Sequence, residues 1–151
     1  MLTKELEKKL ILKAFEMKEK AYCPYSKYHV GAALLSENGK IYGGFNIENS
    51  SYGACNCAEA TAVFNGVSEG ERKFIAIFIC SGLEGKKQII EKEEDIAFPC
   101  GICRQILREF SSPKDFKIYI CENEDKYYIK TLDEILPHSF GPKVLLGDKK
   151  H

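Results

Sequence analysis

The feature that most constrains this chain is a set of cysteines split between two distant segments. Cys57-Ala58-Glu59 stands in the middle, and Pro99-Cys100-Gly101-Ile102-Cys103 lies far downstream. Cysteines at i and i+3 at the start of a helix share one face and can hold one metal ion between them. A third thiolate from another helix start gives three ligands and leaves the fourth tetrahedral position open, as in catalytic rather than structural zinc. Free N–H groups and the dipole at helix N-termini also favour thiolates. Any fold for this chain therefore has to bring two helix mouths together. Glu59 is two residues beyond Cys57, nearly opposite it on a regular helix. Both address one site only if Cys57 sits at the mouth, with the metal beyond the end of the axis. Glu59 then reaches a metal-bound water rather than the metal and can move that water's proton. On spacing alone, a closed structural site built from Cys55, Cys57, Cys100 and Cys103 stays open as an alternative.

Composition narrows the setting. The chain has 151 residues, 44% hydrophobic and 29% charged, which suits one globular domain over residues 1–151. Lys+Arg and Asp+Glu are both 22, for a net charge of +0. Phosphate-gripping proteins carry a basic excess, so a small-molecule substrate is expected and no nucleic-acid partner. No apolar run approaches a membrane span, and the first twenty residues have helical spacing rather than secretory architecture. A cytoplasmic location is expected. Seven cysteines in a reducing compartment point to metal binding or catalysis rather than disulfides.

Apolar residues at Leu2, Leu6, Leu10, Ala14 and Met17 predict a helix over about 3–20, ended by Pro24. His29–Leu35 and Lys40–Phe45 read as strands joined by a hairpin at Glu37-Asn38-Gly39-Lys40, where Asn-Gly suits positive φ. Cys57–Val67 has helical composition, and Phe74–Cys80 is a continuous apolar run expected as a strand buried on both faces. Segment 82–98, with its charged runs, reads as a solvated excursion. A helix is predicted from Cys100 to Phe110, then strands Phe116–Cys121 and Tyr127–Thr131, a short helix Leu132–Leu136, and a tail from Pro137. The order αββαβαββ predicts an α/β fold, a three-layer α/β/α sandwich around a five-stranded mixed sheet. Cys80 and Cys121 are expected as small buried apolar residues.

The metal pattern itself, Cys-x-Glu followed by Pro-Cys-x-x-Cys, resembles that of the zinc deaminases. Other segments extend the resemblance over about Leu6 to Phe140 and make it one to the cytidine deaminase family. Pro24-Tyr25-Ser26-Lys27-Tyr28-His29-Val30-Gly31-Ala32 is similar to its PYS-x-F-x-VGA segment, and Asn46-Ile47-Glu48-Asn49 to its N-[VI]-E-N segment. Ser51 to Glu59 leads into the zinc motif, and Leu136-Pro137-His138-Ser139-Phe140 is similar to its closing LLP-x-x-F. The resemblance implies Zn2+ held by Cys57, Cys100 and Cys103. It implies hydrolysis of the 4-amino group of free cytidine or deoxycytidine in pyrimidine salvage, with metal-activated water as nucleophile and Glu59 shuttling the proton. Asn46 and Glu48 would hold the ribose, Tyr28 would stand near the base, and the Ala58 N–H would hold the pyrimidine carbonyl. The family assembles as a homotetramer in which the residue at the Phe140 position reaches a neighbour's pocket.

Three positions depart from the family pattern, the least consequential being Phe98, where a Ser is usual before the Pro-Cys pair. Ala60 stands where three-cysteine members commonly have Arg, so another cation is needed near the thiolates, and Arg104 is the candidate. Tyr28 replaces the usual Phe, and a buried phenol needs a hydrogen-bond partner. Two rival readings are a deaminase of aminonucleosides such as blasticidin S and a non-catalytic zinc-stabilised assembly protein. The Asn46–Asn49 segment argues against the first and Glu59 against the second.

Overall fold

The computed structural model describes residues 1–148. The chain runs α1 (Lys4–Glu19), β1 (Tyr28–Ser36), β2 (Ile41–Phe45), α2 (Ala58–Ser68), β3 (Phe74–Leu83), α3 (Gly101–Glu109), β4 (Lys117–Cys121), β5 (Tyr127–Thr131), α4 (Leu132–Ile135) and α5 (Pro142–Leu146). Single 3-10 turns lie at Tyr52–Ala54 and Glu93–Asp95. The strands form one mixed sheet of five in the order β2-β1-β3-β4-β5. Only β3 and β4 pair parallel; the other neighbours are antiparallel.

Two apolar layers explain the sandwich. Strand side chains alternate between faces. Ala32, Leu34, Ile77, Ile79, Ile118 and Ile120 therefore join a cluster with Ala58, Ala62, Val63 and Leu107 from α2 and α3. The intervening Ala33, Leu35, Phe78, Cys80, Tyr119 and Cys121 pack with Leu10, Ile11 and Ala14 of α1. That double burial is why β3 reads as an unbroken apolar run. Cys80 and Cys121 are each 1% exposed, as expected of small apolar residues. Thr3 caps α1, its hydroxyl accepting from Leu6 N at 3.2 Å.

Helices approach the sheet closely at two glycines. A Cβ on Gly31 would meet the Ala14 carbonyl of α1 at 2.1 Å, and one on Gly44 would meet the Ala58 carbonyl of α2 at 2.3 Å. The second contact fixes the mouth of α2 over the carboxyl end of β2. By the register of β1 with β2 and β3, that end of the sheet is also where β1 begins and β3 finishes.

Four features differ from the sequence reading. In the 37–40 turn only Gly39 takes positive φ, at 82°; the Asn38 side chain instead donates to Glu71 at 3.0 Å. Strand β3 runs on to Leu83 because β1 pairs with it as far as Tyr28. Segment 84–98 is not a solvated excursion: its charges face out, but Ile90 is 5% exposed, and Ile96 and Phe98 pack on the α2/α3 core. The tail from Pro137 contains a helix, α5, with Pro142 in its first turn.

Candidate active site

Cys57 is the N-cap of α2 and Cys100 the N-cap of α3, and neither mouth is capped by a side-chain hydrogen bond. Both have extended backbone, with φ −74°, ψ 157° and φ −63°, ψ 166°. The sulfurs therefore lie beyond the helix ends, and Cys103 adds its own from the first turn of α3. The three sulfurs lie within 4.8 Å of one another, and Cys57 and Cys100 are 3.8 Å apart. Tetrahedral zinc with Zn–S bonds of about 2.3 Å requires S···S separations of about 3.8 Å, so the donor set and its spacing fit zinc. Cys55 is outside the cluster. It is solvent-exposed, and its sulfur exchanges hydrogen bonds with the backbone of Asn49 at 3.3 and 3.8 Å. The four-cysteine enclosure is therefore not what the chain builds.

Glu59, in the first turn of α2, is 6% exposed, and its Oε2 lies 3.8 Å from Cys103 Sγ. Burial pushes its carboxyl up to about 7, helped by the nearby Cys57 thiolate and opposed by its own backbone N–H and by Cys103. Without metal, the sulfurs share protons unequally. Hydrogen bonding from Cys103 brings the Cys57 thiol down to about 6, with burial opposing and Cys100 adding to it. Cys103 is driven up, first by that same bond to Cys57 and then by burial and the surrounding negative charge. A divalent cation would displace the remaining protons.

The other sequence-derived residues fall into two groups. Asn46 and Glu48 lie at the same end of the sheet, carried there by bridges from Ile47 to Tyr22 and to Asn56. Asn46 Oδ1 accepts from Val30 N at 2.8 Å and Nδ2 donates to the Tyr28 carbonyl at 2.9 Å, leaving one donor and one acceptor position free. Glu48 accepts from the backbone of Tyr25 at 2.9 Å and of Ser26 at 3.2 Å. Hydrogen bonding from Ser26 is the main reason its carboxyl lies below the usual range. Tyr28 finds the partner its phenol needs, donating to Ser81 Oγ at 2.9 Å. Ala58 is fully buried at the mouth of α2.

Arg104 and Phe140 stand apart. The Arg104 guanidinium donates to the carbonyls of Pro99 and Ile135, each at 2.6 Å, rather than to a sulfur. Phe140 is 57% exposed, its backbone tied to α3 by Gln105 Nε2 at 2.9 Å. Ser81 and Gln88, which tether Tyr28, had no motif to reveal them. The one hint was the phenol itself, which had to be satisfied from somewhere.

A three-layer α/β/α domain with an open triad of cysteine sulfurs and a buried carboxyl beside it is the type of site that zinc deaminases use. The profile described as the cytidine and deoxycytidylate deaminase zinc-binding region matches residues 4–120, and the chain belongs to that family. It is 41% identical over 137 residues to a cytidine deaminase of Sporosarcina psychrophila, covering 91% of this chain and 93% of the relative. It is 40% identical over 148 residues to a probable cytidine deaminase of Dictyostelium discoideum, covering 97% of this chain and 91% of the relative. The fold is similar to the crystal structure of cytidine deaminase from Burkholderia pseudomallei, with a TM-score of 0.74 and 36% identity over 87% of this chain and 97% of that one. It is also similar to the cytidine deaminase of Mycobacterium tuberculosis, with a TM-score of 0.69 and 31% identity over 88% of this chain and 95% of that one.

Proposed function

We propose that the protein hydrolyses the 4-amino group of free cytidine or deoxycytidine, taking up water and releasing ammonia to give uridine or deoxyuridine. The observation that carries this is the Glu59 carboxylate, buried 3.8 Å from Cys103 Sγ beside an open triad of sulfurs. A structural metal has no use for such a carboxylate. Cys57, Cys100 and Cys103 would hold zinc, which when bound makes water a competent nucleophile near neutral pH. Glu59 takes one proton from the attacking water and delivers it to N3 of the pyrimidine, then takes the second from the hydroxyl now on C4 and delivers it to the departing amine, which leaves as ammonia. Its burial excludes bulk water from that exchange. The Ala58 N–H, at an uncapped helix mouth, is a donor suited to the pyrimidine carbonyl. Asn46 and Glu48 keep hydrogen-bonding capacity for ribose hydroxyls, and the Tyr28 ring supplies an apolar wall. Arg104 acts on the triad by holding the Pro99–Cys100 turn.

Ligand thiols require a reducing compartment, which favours the cytoplasm. Exposed Phe140, Val144 and Leu145 near the carboxyl terminus support assembly into a homotetramer. The loss of ultraviolet absorbance as cytidine is converted tests the reading. The native protein should turn over cytidine, and Glu59→Gln should keep zinc and fold but lose at least about a thousand-fold in kcat. Substantial residual turnover would overturn the role given to Glu59.

A further inference from the structure

Tyr28, Ser81, Gln88 and the backbone of Asp95 form one directed hydrogen-bond chain outside the metal triad. The Tyr28 hydroxyl donates to Ser81 Oγ at 2.9 Å, Ser81 Oγ donates to Gln88 Oε1 at 2.8 Å, and Gln88 Nε2 donates to the Asp95 carbonyl at 2.6 Å. Its direction is forced. A carbonyl only accepts, so the Gln88 amide turns its nitrogen to Asp95 and its oxygen to Ser81. Ser81 gives its single proton to that oxygen, so Tyr28 must be the donor to Ser81. Ser81 is 4% exposed, and breaking the chain there leaves buried polar atoms without partners.

The chain joins two parts of the molecule that meet at the site. Tyr28 and Ser81 lie near the paired ends of β1 and β3, where Tyr28 is opposite Leu83 and Val30 opposite Ser81. Strand alternation puts both on the face shared by Val30, Ile79 and α2. The Tyr28 backbone is held there by Asn46 Nδ2. Gln88 belongs to the segment that leaves β3 and ends at Cys100. That segment is also fastened by Gln88 N to the Ser81 carbonyl at 3.1 Å, Glu84 N to the Lys27 carbonyl at 2.9 Å, and the buried Lys18 Nζ to the Lys86 carbonyl at 2.5 Å. One end of the chain thus sets an aromatic ring, and the other fastens segment 84–98 at Asp95, five residues before Cys100.

We propose that Gln88, acting through Ser81, is a positioning residue that fixes the Tyr28 ring as a wall of the nucleoside pocket and docks segment 84–98 against it. A ring anchored at both its backbone and its hydroxyl keeps one rotamer before substrate arrives, so binding does not bear the cost of ordering it. The effect belongs in KM rather than kcat. The proposal rests on the cytidine deaminase reading above.

The test is steady-state kinetics with cytidine, alongside zinc content and thermal midpoint, for the native protein, Gln88→Met, Gln88→Glu, Tyr28→Phe and Tyr28→Phe combined with Gln88→Met. Gln88→Met should raise KM about three- to ten-fold, the worth of one hydrogen bond, with kcat within about two-fold. Gln88→Glu keeps an acceptor for Ser81 but sets a second acceptor against the Asp95 carbonyl, so it should raise KM as well and lower the thermal midpoint. In the Tyr28→Phe background, Gln88→Met should change KM no further. An unchanged KM in Gln88→Met, or an equal rise in the Tyr28→Phe background, overturns the proposal. Should Gln88→Met fail to fold, Ser81→Ala breaks the same chain by removing one oxygen, and the same KM criterion applies. A zinc-loaded native protein that leaves cytidine untouched refutes the deaminase reading and the proposal with it. An active native protein whose KM ignores Gln88 refutes the proposal alone.

Discussion

Replacing Gly44 by alanine adds one carbon where β2 and α2 lie closest. That carbon would stand 2.3 Å from the Ala58 carbonyl oxygen, 2.4 Å from Ala62 N and 2.7 Å from Thr61 Oγ1. Two of these three atoms are helix backbone, so no side-chain rotation relieves the clash. To recover ordinary contact the start of α2 has to back away from the sheet by about 1 Å, an overpacking displacement that costs about 1–3 kcal/mol. For a chain of this size the thermal midpoint falls by roughly 3–10 °C. The functional loss is larger in proportion. Cys57 caps α2 and Glu59 sits in its first turn, whereas Cys100 and Cys103 belong to α3. Moving α2 alone shifts one sulfur and the carboxylate against the other two sulfurs. A misplacement of about 1 Å costs on the order of a hundred-fold in rate.

Gly31→Ala is the matched control. Its Cβ would stand 2.1 Å from the Ala14 carbonyl and 2.3 Å from Lys18 N, which pushes α1 on the opposite face of the sheet. Both variants should lose comparable stability in thermal melts, but only Gly44→Ala should lose zinc on dialysis and kcat on cytidine. Gly44→Ala with full zinc and native kcat, or equal functional loss in Gly31→Ala, would refute the idea that the β2–α2 contact sets the metal mouth.

Metal analysis of cysteine variants should separate Cys55 from its neighbours: Cys55→Ser keeps zinc, whereas Cys57→Ser or Cys103→Ser loses it. In the zinc-loaded protein, a thiol reagent should label exposed Cys55 quickly and spare Cys80 and Cys121, whose thiols burial pushes up to about 12. From their ordinary 9.0 towards about 12, those two groups should also make the fold less stable as pH rises, because the unfolded chain releases protons that the folded chain retains. Denaturant melts across that range check the sign. Arg104→Ala should cost about ten-fold in zinc affinity or activity, in the range of groups that hold metal ligands in place. Arg104→Lys should not rescue it, since an ammonium cannot span the Pro99 and Ile135 carbonyls as the guanidinium does.

How much of this could be read in the sequence depended on whether a signal was local or required a partner. The sulfurs were legible because i, i+3 spacing puts Cys100 and Cys103 on one face and because Glu59, two residues past Cys57, shares its site only from the N-cap geometry that Cys57 adopts. Spacing alone left Cys55 as a fourth ligand, which its exposed place in the structure removes. Strands β3 and β4 were legible because burial on both faces leaves an apolar run that no solvated element shows. Segment 84–98 was misread for the complementary reason. Its charges dominate its composition, while its attachment depends on Ile90, Ile96 and Phe98, spaced by no strand or helix period, and on Gln88 meeting Ser81 across the chain. Helix α5 was missed although Gly141-Pro142 marks a helix start. Five residues with Val144 and Leu145 exposed show no buried face from which to read a period.

Ala60 raises a question of charge that the geometry answers in part. Three thiolates around a divalent zinc carry a net excess of one negative charge, which weakens the pull on a bound water. The guanidinium expected to offset it, on Arg104, is committed to two backbone carbonyls rather than to a sulfur. The two helix mouths are different. Each contributes about half a positive charge at its first turn. Because neither Cys57 nor Cys100 caps its helix with a side-chain bond, those N–H groups remain available to the sulfurs beside them. Two such ends supply roughly one unit of charge, on the order of the excess to be offset. Zinc held at this site would then be offset by backbone that no substitution removes. With zinc in place, a chain with Ala60 after its buried carboxylate would still have this counter-charge beside its three sulfurs.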